Sequence, residues 1–166
     1  MKKSKIIYAI IVTIIYVGLL ITYIYFSLSS GDESSSFSEN VAEVVANTLN
    51  NMGANITPDE SFHTIIRKLI GHFGYFVLIG ISSFMFYNML KNIIFIFRLI
   101  IHFSMGFLFA LFTEFGLQAI ATNRGPSIVD TMIDFGGFSV SIIAILIYLL
   151  VVYKKKKNIK QFNKHI

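Results

Sequence analysis

Polar side chains that could do chemistry recur at helical spacing in three short stretches of this 166-residue sequence. Lys68, His72 and Tyr75 form one set, Glu114 and Gln118 a second, and Asp130 and Asp134 a third, with Arg124 between the last two. Residues three and four apart share a face of a helix, so each stretch turns its polar groups to one side. An imidazole beside carboxylates can exchange protons or, with several oxygen ligands, hold a divalent cation. Arg and Lys meet anionic groups, and Gln and Tyr orient what is bound. The sequence has no Cys, which removes disulfides, thiolate nucleophiles and thiolate metal ligands together. The G-x-S-x-G, H-E-x-x-H and Gly-rich phosphate-loop patterns of soluble enzymes are absent too.

The elements that carry these residues are apolar. The chain is 55% hydrophobic and only 14% charged, with a mean hydropathy of +0.70, whereas a soluble domain has about 25% charged residues. A bilayer core is spanned by about 20 apolar residues in a helix, and four runs reach that length. Residues 6–28 carry no charge, and 69–90 hold His72 alone among basic and acidic groups. Residues 93–121 contain Arg98, His102 and Glu114, and 128–153 contain Asp130 and Asp134 near their start. The expected fold class is therefore all-α: an integral membrane bundle of four transmembrane helices with a short amphipathic extracytoplasmic helix. The first run exceeds the 7 to 15 apolar residues typical of a secretory signal and reads as an uncleaved anchor.

Lys and Arg in short loops are retained on the cytoplasmic side during insertion. With both termini cytoplasmic, eleven Lys and Arg residues fall inside and only Arg67, Lys68 and Arg124 outside; the reverse orientation inverts that ratio. The basic tail "YKKKKNIKQFNKHI" then reads as a stop-transfer segment drawn to anionic lipid, with no nucleic-acid partner implied. Residues 29–66 carry six acidic residues and no Lys or Arg. Phe37, Val41, Val44, Val45, Leu49 and Met52 recur there at helical spacing, with Ser36 and Glu39 as a capping box and Gly53 as a stop. This helix is expected to pack on the bundle, and Thr57, Pro58 and Glu60 mark a second helix start.

The three polar stretches then meet at one level, the outer boundary of the bilayer. An ionisable group facing lipid costs at least about 2.5 to 3.5 kcal/mol at mid-membrane, so such groups face one another or a watery cavity. One reading makes them helix-end ion pairs, with Arg67, Lys68 or Arg124 neutralising Glu114, Asp130 and Asp134. The other makes them a site, which their number and their origin in three helices favour. His102 is expected to be hydrogen-bonded within the bundle, and Arg98 to snorkel at the inner end. Gly71, Gly74, Gly80, Gly106, Gly136 and Gly137, with Ser82, Ser83 and Ser139, are expected to allow close helix approach.

The ordered series "RKLIGHFGYFVLIG", "TEFGLQAI" and "NRGPSIVDTMIDFGG" resembles the motif series of the VanZ-like membrane family. The matching positions are Lys68, His72, Tyr75, Glu114, Gln118, Arg124, Asp130 and Asp134. Asp134 stands where an Asn before x-x-Gly is expected, adding a negative charge. The match runs in order over residues 67–137 and is expected to mark a VanZ-like three-helix membrane core in 67–153; run length and charge alone divide the rest into an N-terminal anchor helix in 1–28, an acidic extracytoplasmic loop with an amphipathic helix in 29–66 and a basic cytoplasmic tail in 154–166. The resemblance also implies a multi-pass protein of the Gram-positive cell envelope that lowers susceptibility to teicoplanin-type lipoglycopeptides. The eight residues would form a polar outer-leaflet site for an amphiphile such as a membrane lipid, a cell-wall precursor or the lipoglycopeptide. No cofactor, metal or catalytic residue is assigned. A membrane hydrolase or transferase acting on a lipid-linked substrate, with His72 as acid or base, is the alternative; a four-helix transporter is a weaker third.

Overall fold

The computed structural model describes residues 2–89 and 92–162 and is helical throughout, with no strand among the described residues. Lys91, Lys164 and His165, which enter the charge argument and the tail, lie outside the described residues. Among the described residues six helices follow in order: α1 Lys2–Leu28, α2 Gly31–Asn51, α3 Glu60–Tyr87, α4 Phe95–Ile120, α5 Ile128–Ser139 and α6 Ser141–Phe162. Four spans, the last made of α5 and α6 together, are long and apolar enough to cross a membrane. The chain is a four-span helical membrane bundle, and its apolar side chains exposed on α1, α4 and α6 are the surface offered to lipid.

Small residues decide how closely the helices approach. A Cβ on Gly80 would run into the Phe138 carbonyl and one on Gly106 into the Phe138 ring, so Phe138 is wedged between α3 and α4. A Cβ on Gly137 would collide with the Phe73 carbonyl of α3, whereas Gly71 and Gly136 have room for one. Phe138 joins Tyr23, Phe76, Ile79 and Ala110 in the buried core. Deeper along the same helices, His102 is held between Ser83 at 3.0 Å and Ser141 at 2.9 Å, as expected for a buried imidazole with bundle partners. Arg98 reaches the Asn88 carbonyl and side chain at 3.3 and 3.2 Å and lies over the Phe95 ring.

Several local expectations are corrected. The fourth run is one span, Ile128–Lys154, whose regular helix is interrupted at the single residue Val140. α2 is 21 residues long and starts earlier than expected, capped by Ser30 with Glu33 rather than by Ser36 with Glu39. The first polar residues after the apolar run satisfy its free N–H groups, leaving only Ser29 and Ser30 between α1 and α2. Its inward face also differs, since Phe37, Val44 and Met52 are exposed while Ser38, Ala42 and Ala46 are buried. Three small side chains one turn apart allow α2 to lie close to α3, which a stripe of Phe and Val would prevent. Asp59, not Thr57, caps α3 by accepting from Phe62 N–H at 2.8 Å, consistent with the higher N-cap preference of Asp. Because α3 runs unbroken from Glu60, the division at residues 66 and 67 falls inside a helix, as does that at 153 and 154. Gly53 does end α2, with φ of +96°.

Candidate functional site

Two helices change their winding where the polar residues sit. α3 is π-helical over Arg67–Gly74 and α4 over Phe112–Leu117. A π turn bonds residue i to i+5, widening the helix and re-aiming side chains, and such turns occur often at functional sites. His72 lies in the first segment and Glu114 in the second.

The centre of the site is His72. Its Nδ1 lies 2.9 Å from Asp134 Oδ1 and 3.8 Å from Glu114 Oε1. The Tyr23 hydroxyl, 3.3 Å from the same ring nitrogen, donates to Asp134 Oδ2 at 3.1 Å. Glu114 accepts from the Gln118 side-chain amide through Oε1 and from the Ser127 backbone N–H, at 3.3 Å, through Oε2. Glu114 and Asp134 are fully buried, and among the described residues neither is within ion-pair reach of Lys or Arg. Two carboxylates are thus served by one imidazole and three neutral donors drawn from four segments of the chain. With Asp134 ionised, its contact with Nδ1 makes Nδ1 the protonated nitrogen and leaves Nε2 as the one not bound within the network.

The expected residues divide into three groups around this centre. His72, Glu114, Gln118 and Asp134 come together as one hydrogen-bonded cluster. Lys68 and Asp130 form a separate pair at 3.6 Å, one helical turn away from the His72–Asp134 pair on the same two helices. Repetition of the four-residue step on both partners means that α3 and α5 run in the same direction. Arg124 and Tyr75 do not join the carboxylates. Arg124 donates to the Phe26 carbonyl at 2.9 Å, and the Tyr75 hydroxyl to the Leu19 carbonyl at 3.4 Å, so each ties its segment to α1. Of the ion pairs considered from sequence, only Lys68 with Asp130 is formed among the described residues; Glu114 and Asp134 face the imidazole instead. Partial burial lowers the pKa of Arg124 in the 121–127 loop, and the nearby Glu114 charge opposes that shift.

Tyr23 is the participant that sequence reasoning missed. It is 5% exposed, while Tyr25, two residues on in the same apolar run, is 69% exposed. Nothing in the local sequence separates the two phenols.

The cluster borders a cavity of about 410 Å³ bounded by α1, α2, α3 and the 121–127 loop. Its lining includes His72 and Tyr75, the apolar Phe26, Phe37 and Ile70, and the cationic Arg67 and Arg124. That volume falls within the range of small-molecule sites, about 300 to 1,000 Å³. His72, Glu114 and Asp134 also offer three ligand atoms within 4.8 Å of one another, a set compatible with a divalent cation. Those atoms already engage one another, Tyr23, Gln118 and Ser127, so a cation would have to displace hydrogen bonds to enter. Comparisons with protein-family models, with curated proteins and with solved structures find no match for this chain.

Proposed function

We propose that this chain is a VanZ-like multi-pass protein of the Gram-positive cell envelope that binds an amphiphile at its extracytoplasmic end and thereby lowers susceptibility to teicoplanin-type lipoglycopeptides. One observation carries the binding reading: residues from separate spans meet beside a cavity lined both by apolar side chains, among them Phe26, Phe37 and Ile70, and by polar ones, among them His72, Arg67 and Arg124. An amphiphile matches both surfaces, with its tail in continuity with lipid and its head toward His72, Arg67 and Arg124. The excess of Lys and Arg at the opposite end of the spans supports the orientation, and the motif series of the VanZ-like family supports the envelope role.

Expression in a sensitive Gram-positive host tests this directly. Selective protection against a lipid-bearing glycopeptide, relative to a non-lipidated one, is expected; equal protection against both would point to altered wall precursors and sink the outer-leaflet reading. Arg124→Ala and Glu114→Gln should each abolish protection while leaving the protein in the membrane fraction. Full protection by both variants would show that the cavity and its buried floor are not the site.

A second reading, a hydrolase or transferase on a lipid-linked envelope substrate, is favoured by the hold of Asp134 on His72 Nδ1, which leaves Nε2 for proton transfer. Incubating purified protein with labelled lipid precursors separates the two. Turnover that disappears in His72→Ala would favour the enzyme, and absence of turnover with retained binding would favour the binder.

A further inference from the structure

Two arginines from different segments line the cavity, and among the described residues neither forms an ion pair with a carboxylate. Arg67 comes from the π-helical segment of α3 and Arg124 from the 121–127 loop, and both line the same 410 Å³ space. Arg67 is partly buried, its Nε is buried without a hydrogen-bond partner, and among the described residues it pairs with no carboxylate. Arg124 spends one donor on the Phe26 carbonyl and keeps the rest of its fork. The acidic side chain on the cavity wall, Glu33, is engaged in the cap of α2 with Ser30. The buried carboxylates Glu114 and Asp134 are bound to His72, Tyr23, Gln118 and Ser127. The arginines that line the cavity therefore keep donors to spare, while the neighbouring carboxylates are engaged by other partners.

We propose that this cavity recognises a phosphate-bearing lipid, with Arg67 and Arg124 on the phosphate oxygens and the acyl or prenyl chain along Phe26, Phe37 and Ile70. Guanidinium forks match phosphate oxygens in bidentate geometry, and partial desolvation strengthens each contact. A phosphate oxygen in the cavity would supply the acceptor that the unpartnered Arg67 Nε lacks. This inference rests on the amphiphile-binding reading and narrows it to one headgroup chemistry.

The test uses the full chain purified in neutral detergent and three probes: a short-chain phosphatidic acid, the diacylglycerol with the same chains, and inorganic phosphate. Native mass spectrometry or a binding titration should show the phosphatidic acid binding at least about tenfold more tightly than the diacylglycerol. Arg67→Gln and Arg124→Gln should each weaken it by about tenfold or more, the loss expected for one charge-assisted hydrogen bond. Arg98→Gln, at the other end of the bundle, should leave binding unchanged. If either glutamine variant melts early, Arg67→Lys and Arg124→Lys keep the charge without the fork and should give intermediate affinity. Equal binding of the two lipids, or arginine variants that bind as the parent does, would overturn the phosphate assignment and leave the amphiphile reading standing. Failure of both lipids to bind would overturn both. Inorganic phosphate binding as tightly as the phosphatidic acid would show that the site takes a free anion and that the chain contributes nothing.

Discussion

The His72, Glu114, Asp134 and Tyr23 cluster is a buried polar network in which every carboxylate oxygen has a partner. Removing one charged member of such a network leaves the others desolvated and unpaired, at about 3 to 5 kcal/mol. Asp134→Ala should therefore destabilise the purified protein by that amount in a detergent unfolding titration. Tyr23→Phe removes only a hydroxyl donated to a carboxylate and should cost about 1.5 to 3 kcal/mol. A double variant should lose less than the sum, since the two side chains share a bond. Additive losses would mean that the Tyr23 hydroxyl and Asp134 act independently. His72, Glu114, Gln118 and Asp134 are recognisable in the sequence because charge or amide groups in apolar helices stand out. The partner choice among them is not, because helical spacing puts Lys68 and His72 on one face without saying which meets Asp130 and which Asp134.

At the scale of the helix, the contact between α3 and α5 depends on glycine. Gly137 packs against the Phe73 carbonyl, a backbone atom that cannot swing aside, while Gly136 beside it meets open space. Gly137→Ala should cost about 1 to 3 kcal/mol, as overpacking does, and should loosen the His72 to Asp134 contact one turn away. Gly136→Ala should lie within about 0.5 kcal/mol of the parent. Melting temperatures in one detergent compare the two; equal effects would show that the helices do not approach as closely as described. The glycines are visible in the sequence, but which of two adjacent ones faces a neighbour depends on the rotation of α5. The small face of α2, Ser38, Ala42 and Ala46, was hidden for a related reason. A hydrophobic stripe is the usual guide to a buried face, and beside lipid large apolar residues gain as much from facing outward.

For the whole molecule, the distribution of Lys and Arg along the chain predicts an orientation with both termini cytoplasmic, and the absence of Cys makes that orientation measurable. Single Ser36→Cys and Lys5→Cys variants, each the only thiol in its chain, should respond oppositely to a membrane-impermeant thiol reagent on intact cells. Ser36→Cys, in the exposed part of α2, should be labelled and Lys5→Cys should not. The reverse pattern would invert the topology and place the cavity on the cytoplasmic side.

Length and hydropathy alone determined that this is a helical membrane protein with four spans. The bilayer acts as a solvent of fixed thickness, and each span must satisfy its own backbone. The same rule made polar residues within those spans conspicuous and placed them near one end. Tertiary structure alone decided that Tyr23 of the apparent anchor completes the cluster, that Arg124 and Arg67 turn to a cavity, and that Lys68 and His72 take different acids. Those outcomes follow from which helices lie side by side and how each is rotated, and Phe138 wedged between Gly80 and Gly106 fixes this through contacts that no local pattern of residues encodes.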